Sequence, residues 1–409
     1  MSYSRRQFLK TAGIVTIGTV ATKNNVWAAK SPWSSHSNTL KVGLIGCGGR
    51  GTGAAEEALN ADPNVILYAM ADAFSDQLET SYNSLKGKLK DKVQVTENNK
   101  FVGLDAYQKL LETDVDVVLL AAPPAFRPSH LEAAVNAGKH IFCEKPFAVD
   151  APGLRKVMAT AEKAKEKKLS LVSGFCWRYH YPKRETFGKV LNGQIGQVLT
   201  AEATYDTGEL WYKERQSGWT DLEYQLRNWL YYNWLSGDHI IEQAIHSIDM
   251  RDVAPLRVTG SGGRQKRTDP KFGNVYDHFA MTYEYPGGAK AYFHCRQQND
   301  TSPSYAVELV GADGKCVVDC RTGKHEITGK KPWEYSDETK FTDAEAYKRS
   351  ESRNMYQVEH DELFASIRAN KPMNDTVEPR GTRRQDGRIY RANHLTGTGT
   401  RLRRGVVPG

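Results

Sequence analysis

The chain has 409 residues, enough for two domains, with a formal net charge of +8 and six cysteines. The charge sits at the ends: residues 1–30 carry five basic groups and no acid, residues 376–409 carry a net +6, and residues 31–375 are left with −3. A mildly acidic body without a basic stripe interleaved with aromatics excludes nucleic acid as a partner, and scattered cysteines without CxxC or zinc spacing argue against a thiol-built metal centre.

Ser4 to Lys10 (SRRQFLK) is a twin-arginine pattern, followed by a mildly apolar stretch near residues 12–21 and a small-residue site near 26–29. Residues 1–30 are therefore expected to be an export signal with a periplasmic destination. The apolar stretch is too short to span a bilayer, so no stable membrane insertion is expected after its removal. No cysteine lies near the cleavage site, which argues against a lipid anchor. This route moves folded proteins with cofactors already loaded, so a nucleotide used outside the cytoplasm should be held tightly and regenerated in place. Residues 31–40 read as a linker or arm.

From Lys41 a short apolar run delivers the chain to KVGLIGCGGRG, residues 41–51. Gly46 suits a tight turn, Gly48 lets a pyrophosphate approach the backbone, and Gly51 lets the following helix lie against the strand, with Gly49 and Arg50 completing the loop. A second strand, Val65 to Ala71, ends in Asp72 about 20 residues on, which is the context that makes this pattern a dinucleotide fingerprint. Asp72 should accept from the adenosine ribose hydroxyls and repel a 2′-phosphate. No arginine follows it closely, so NAD is favoured over NADP.

Strands are expected at 41–46, 65–71, about 94–102, 115–121, 139–143 and 169–174, with helices between them, the clearest at Ala151 to Lys167. This alternation predicts an α/β fold whose N-terminal domain, residues 41–174, is a doubly wound parallel sheet. Pro123-Pro124 stops one strand at the carboxyl edge, where ligands bind in such sheets. After residue 175 the character changes to alternating runs at 198–205, 275–285, 288–297, 304–310 and 315–319, with a hairpin signal at Pro286-Gly287-Gly288. Residues 175–375 are expected to form an α+β domain on a largely antiparallel open sheet, closed by a helix at Tyr356 to Ile367. Cys316 and Cys320 fall in one strand-like run, about 13 Å apart and too far to bridge. Residues 376–409 are Arg-, Gly- and Thr-rich with little apolar periodicity, the texture of a disordered tail.

Asp238, Glu242, His246 and Asp249 recur at helical spacing, with Ile241, Ile245 and Ile248 on another face. A carboxylate stripe beside an imidazole on a helix with so apolar a back suits the wall of a polar cleft. A solvated helix face is the plain alternative. Metal binding is disfavoured, because only His239 joins Glu242 and His246 and three convergent ligands are not evident. Trp211, Arg227, Trp229, Tyr231, Tyr232, Asn233 and Trp234 form an aromatic-rich stretch suited to a sugar platform or, equally, to a core.

KVGLIGCGGRG, the stretch GKHIFCEKP at 138–146, Ala122-Pro123-Pro124 with His130 downstream, and GDHIIEQAIHSID at 237–249 together resemble the glucose–fructose oxidoreductase / inositol dehydrogenase (Gfo/Idh/MocA) superfamily over roughly residues 40–375. The resemblance implies an NAD-dependent enzyme that takes a hydride from a ring C–H of a sugar or polyol. It implies that Lys145 faces the nicotinamide and a substrate hydroxyl beside a proline, Pro146, that is often cis. His246 is implied as general acid/base, with Glu242 at a position where the family commonly has aspartate. Pro123, His130, Glu144, Lys145, Trp177 and Arg178 are implied at the cofactor, and Arg178, Tyr179 and Trp229 join Lys145, Glu242 and His246 at the substrate. The alternative is a redox-neutral glycoside hydrolase resembling family 109, which oxidises, eliminates, hydrates and reduces in one cycle. A non-catalytic sugar-binding protein is a third, remoter reading. A homodimer or homotetramer is implied by analogy. Beyond Asp375 the resemblance ends.

Overall fold

The computed structural model describes residues 39–249, 254–335 and 355–376. The export signal, nearly all of the linker and the Arg-rich tail lie outside the described residues.

Six short strands, β1 (Leu40–Ile45), β2 (Val65–Asp72), β3 (Lys100–Val102), β4 (Val117–Leu120), β5 (His140–Cys143) and β6 (Leu171–Ser173), form one parallel sheet in the order β3-β2-β1-β4-β5-β6. This is the doubly wound order whose switch point lies between β1 and β4. β4 and β5 are buried throughout because helices cover both faces. On one side Val42, Leu44, Leu67, Val117 and Phe142 pack with Ala54, Ala58 and Leu59 of helix Gly49–Ala61. On the other, Ile45, Val118, Leu120 and Ile141 pack with Leu131 and Val135 of helix Arg127–Asn136, and with Val157 and Ala161 of helix Ala151–Glu166. Asp150 caps that last helix by accepting from the Gly153 amide at 2.7 Å.

The strand expected over 94–102 shrinks to β3, joined by an isolated bridge between Leu67 and Val93, because this sheet edge has one neighbour only. The closing helix, Met355–Arg368, was expected to complete the second domain. Its Val358, Leu363 and Phe364 instead pack into the core of the first, and Asn374 bridges to Leu171 of β6. The chain thus returns to the sheet where it began.

The second sheet has eight strands in the order β14-β13-β12-β11-β7-β10-β9-β8. They are β7 (Val198–Thr207), β8 (Arg257–Gly263), β9 (His278–Glu284), β10 (Lys290–Gln297), β11 (Ala306–Gly311), β12 (Gly314–Asp319), β13 (Lys324–Gly329) and β14 (Trp333–Glu334). All neighbours are antiparallel except β7 and β10, which run parallel. One face is covered by helix Tyr181–Leu191 and by the short helices near residue 245. Leu199, Tyr292 and Val310 remain exposed on the strands.

At the first strand–helix bend, Gly46 has φ +97 and a Cβ on Gly51 would stand 1.8 Å from the Gly46 carbonyl oxygen. Neither backbone can yield without separating β1 from its helix. Gly51→Ala is therefore expected to lower stability by about 1–3 kcal/mol and to weaken nucleotide retention. Urea unfolding of the loaded and the stripped protein measures both effects.

Candidate active site

The bend opens onto a cavity of about 570 Å³. Gly48 precedes helix Gly49–Ala61 without any side-chain cap, and a Cβ on Gly48 or Gly49 would meet nothing within 4 Å. The first helix amides thus face open space, a cradle of the size and polarity that a diphosphate requires. Asp72 ends β2 at the same cavity. Its Oδ2 accepts from the Cys47 amide at 2.6 Å and its Oδ1 from the Phe74 amide at 2.9 Å, so the carboxylate is aimed by the loop it serves. Burial raises the Asp72 carboxyl above its ordinary range, and those two amides pull it back. Pro123 and His130 also line the cavity. The His130 ring stacks on Tyr107 at 4.2 Å, and burial followed by the Arg127 charge lowers it to about 4, so it is a neutral wall.

The far wall of this cavity comes from the second domain. Trp211, Lys213, Arg227 and Trp229 close it opposite Asp72. Arg227 donates to both oxygens of Asp76, at 2.8 and 3.1 Å, and lies 3.9 Å over the Phe74 ring. Trp229, expected at the substrate, instead stands in the nucleotide cavity, edge-on to Trp211 at 6.0 Å. Of the rest of that aromatic stretch, Tyr231 is fully buried in a core with Phe272, and Trp234 is exposed and donates to Gln225. Sequence reasoning did not find Lys213, and it left Arg227 without a place. Both reach Asp72 and Asp76 only through the tertiary fold. Arg227 is paired with Asp76 and Glu223, so its guanidinium is already matched by two carboxylates at the ribose end.

Two residues expected at the cofactor, Arg50 and Glu144, pair with each other. Glu144 accepts from the Arg50 Nε and from the Lys145 amide, and Arg50 also holds Glu57 at 2.8 Å. Arg50 lines the cavity, but its guanidinium is committed to these carboxylates.

The chemistry-bearing end lies past β5, where the Lys145–Pro146 peptide is cis. Lys145 Nζ donates to Glu242 Oε1 at 3.0 Å and to the Glu242 carbonyl. His246 is buried, its ring over Trp177 at 5.6 Å and edge-on to Phe175 at 6.4 Å. Burial, then the charges of Lys145, Lys183 and Arg178, hold His246 well below its ordinary value, so it is a neutral imidazole. Glu242 Oε2 and His246 Nδ1 are both buried without a hydrogen-bond partner.

The single helix expected over 237–249 is two short ones, His239–Glu242 and Ile245–Ile248, broken at Gln243-Ala244. Asp238, at φ +72, caps the first by accepting from the His239 amide at 2.7 Å and reaches the sheet through the Tyr276 amide at 2.9 Å. Asp238 therefore leaves the expected stripe. Asp249 holds Arg178 through two hydrogen bonds of 2.6 Å. Arg178 also donates to the Asp375 carbonyl, and the buried Tyr179 hydroxyl donates to Asp375 Oδ2 at 2.7 Å. Both were expected at the substrate, and Arg178 at the cofactor as well; here their polar ends are tied to Asp249 and Asp375. Lys183 was missed. It lies in the first turn of helix Tyr181–Leu191, where the helix dipole disfavours a cation, and that misfit was the available signal.

Comparison with known proteins settles the family. The family model "Oxidoreductase family, NAD-binding Rossmann fold" matches residues 40–172, and the "GFO/IDH/MocA C-terminal domain" matches residues 189–317. The chain belongs to the Gfo/Idh/MocA oxidoreductase family. Its nucleotide is NAD, held by the first domain. A glycosyl hydrolase family 109 protein of Shewanella pealeana is 26% identical over 220 residues, 50% of this chain and 46% of that protein. Inositol 2-dehydrogenase of Salmonella typhimurium is 27% identical over 162 residues, 39% of this chain and 44% of the enzyme. The chain spans a little under half the length of these relatives. The crystal structure of an aldose–aldose oxidoreductase from Caulobacter crescentus shares the fold, with TM-score 0.62, 19% identity, and 82% of this chain on 91% of that one.

Proposed function

We propose that this Gfo/Idh/MocA protein oxidises a sugar or polyol by taking the hydride of a ring C–H. The observation that carries this reading is the set formed by the Lys145 ammonium with two partnerless buried atoms, Glu242 Oε2 and His246 Nδ1. Together they present one donor and two acceptors, which suits adjacent hydroxyls. NAD, when bound, supplies the hydride acceptor. Lys145 stabilises the developing alkoxide, and the neutral His246 takes the hydroxyl proton. Glu242 holds Lys145 in place and accepts from a neighbouring hydroxyl. The redox-neutral glycoside hydrolase is the second reading. The family 109 relative and the second-domain wall that closes the nucleotide cavity, which suits a retained cofactor, favour it. Export by the twin-arginine route and pairing of subunits through the open sheet belong to the same proposal.

Denaturing the purified protein and identifying the released nucleotide tests retention. Free sugars and aryl glycosides are then offered, with aglycone release followed separately from reduction of the bound NAD. Reduction by a free sugar supports the first reading, and aglycone release without net reduction supports the second. Neither activity on an NAD-loaded protein overturns both.

A further inference from the structure

Three cations surround His246, and two of them are matched. Lys145 is paired with Glu242 at 3.0 Å and Arg178 with Asp249 at 2.6 Å. Among the described residues Lys183 has no such partner. It is 4% exposed, its ammonium lies 4.6 Å over the Trp177 ring, and its polar neighbour is the thiol of Cys320. Among the described residues no carboxylate forms an ion pair with it. An ammonium on a largely buried side chain, beside a thiol and a ring face rather than a carboxylate, is a charge left unmatched by its surroundings. The first turn of a helix adds to that mismatch. Folding alone gives no reason to keep a lysine there, since a neutral side chain would pack against Trp177 without the penalty.

The location supplies a reason. Trp177 carries Lys183 at 4.6 Å and the His246 ring at 5.6 Å, so the unmatched charge stands one ring away from the imidazole. Tyr205 of β7 lies 6.3 Å from Trp177 and packs edge-on to Tyr305, giving the same corner apolar ring surfaces. A pyranose resting on such rings with its acidic substituent toward Lys183 would bring the cluster to electrical balance. We infer that the substrate is an anionic sugar whose carboxylate or phosphate pairs with Lys183. The inference rests on the sugar reading above and narrows it. It also bears on the proton step, because a negative charge beside Lys183 offsets one of the cations that depress His246.

The test separates this pairing from the chemistry. The Lys145→Met variant is loaded with NAD, so that ligands bind without reacting, and calorimetry compares matched probes: glucuronate, galacturonate and mannuronate, glucose 6-phosphate, and glucose, galactose and mannose. An acid or phosphate should bind roughly 10- to 100-fold tighter than its neutral counterpart, the range of a desolvated charge-assisted contact. Adding Lys183→Met should bring that ratio close to one while leaving the neutral sugar's affinity nearly unchanged, and Lys183→Arg should retain part of it. Carboxylate against phosphate probes tell the two sources of charge apart. Equal binding of anionic and neutral sugars, no binding of any anion, or an equal loss for all probes in Lys183→Met overturns the inference. An anion preference in this assay, with no sugar reducing NAD in the parent protein, overturns the oxidoreductase reading and leaves the Lys183 site standing.

Discussion

Lys145→Met is expected to lower the rate of bound-NAD reduction by roughly 10³–10⁴, the combined scale of proton-transfer and charge stabilisation at a reacting centre, while the nucleotide stays bound. Methionine preserves most of the stem and removes only the ammonium. The nucleotide cradle is built from the glycine bend and Asp72, which Lys145 does not touch. Stability should fall as well. The pair is largely buried, with side chains 15% and 9% exposed, so removing one partner strands the Glu242 carboxylate. Breaking such a pair costs about 3–5 kcal/mol. Glu242→Gln in the Lys145→Met background should restore most of that loss and none of the activity. Single-turnover reduction and urea midpoints of the parent, Lys145→Met and the double variant separate the two roles. Full activity in Lys145→Met would remove the assigned chemistry.

The second large effect is a loss of stability in mild acid. Burial is the first cause that depresses His130 and His140 to about 4 and His180 and His239 to about 3, and it also holds His246 and His360 well below their ordinary value. An unfolded histidine takes its proton near pH 6.5. Below that value the unfolded chain binds protons that the folded chain refuses, so stability is present above pH 6.5 and falls as pH drops toward 4. Buried acids with raised values work the other way. Asp238, raised to about 6, and Glu359, raised by burial and by Glu144, take up protons in the folded state and offset part of the loss. Six histidines against these few acids leave a net loss on the order of 5 kcal/mol between pH 7 and pH 5. That is comparable to the whole stability of many domains. Urea midpoints across this range check it, and a flat profile contradicts it. His360→Phe should flatten the slope, because both His360 ring nitrogens are buried without a hydrogen bond and the ring packs 4.2 Å from Phe142.

Much of the first domain was legible because a strand buried on both faces leaves an unbroken apolar run, as Val117–Leu120 does. β8, β13 and β14 were not. Arg257–Gly263 is a mostly exposed edge strand with three glycines, and nothing in its pattern distinguishes it from a loop. The break in the 237–249 helix was equally hidden. So was the tie from the Asp238 carboxylate, which caps the first of the two short helices, to the Tyr276 amide 38 residues away. The family resemblance, not spacing, put Lys145, Glu242 and His246 in one site, and in the structure they are neighbours in space. It did not show the partners of Arg178 and Tyr179, Asp249 and Asp375, or the companion of Trp229 at Trp211, because these contacts are tertiary.

The wall at Trp211, Lys213, Arg227 and Trp229 has a mechanical consequence. A dinucleotide seated between that wall and the glycine bend touches both domains at once and works as a cross-brace. Its binding energy opposes any hinge motion that parts the halves, contributing about 4 kcal/mol when free ligand exceeds the dissociation constant a thousandfold. The loaded protein is then one cooperative body, and emptying the cavity loosens the joint on which the geometry of Lys145 and Glu242, one from each half, depends.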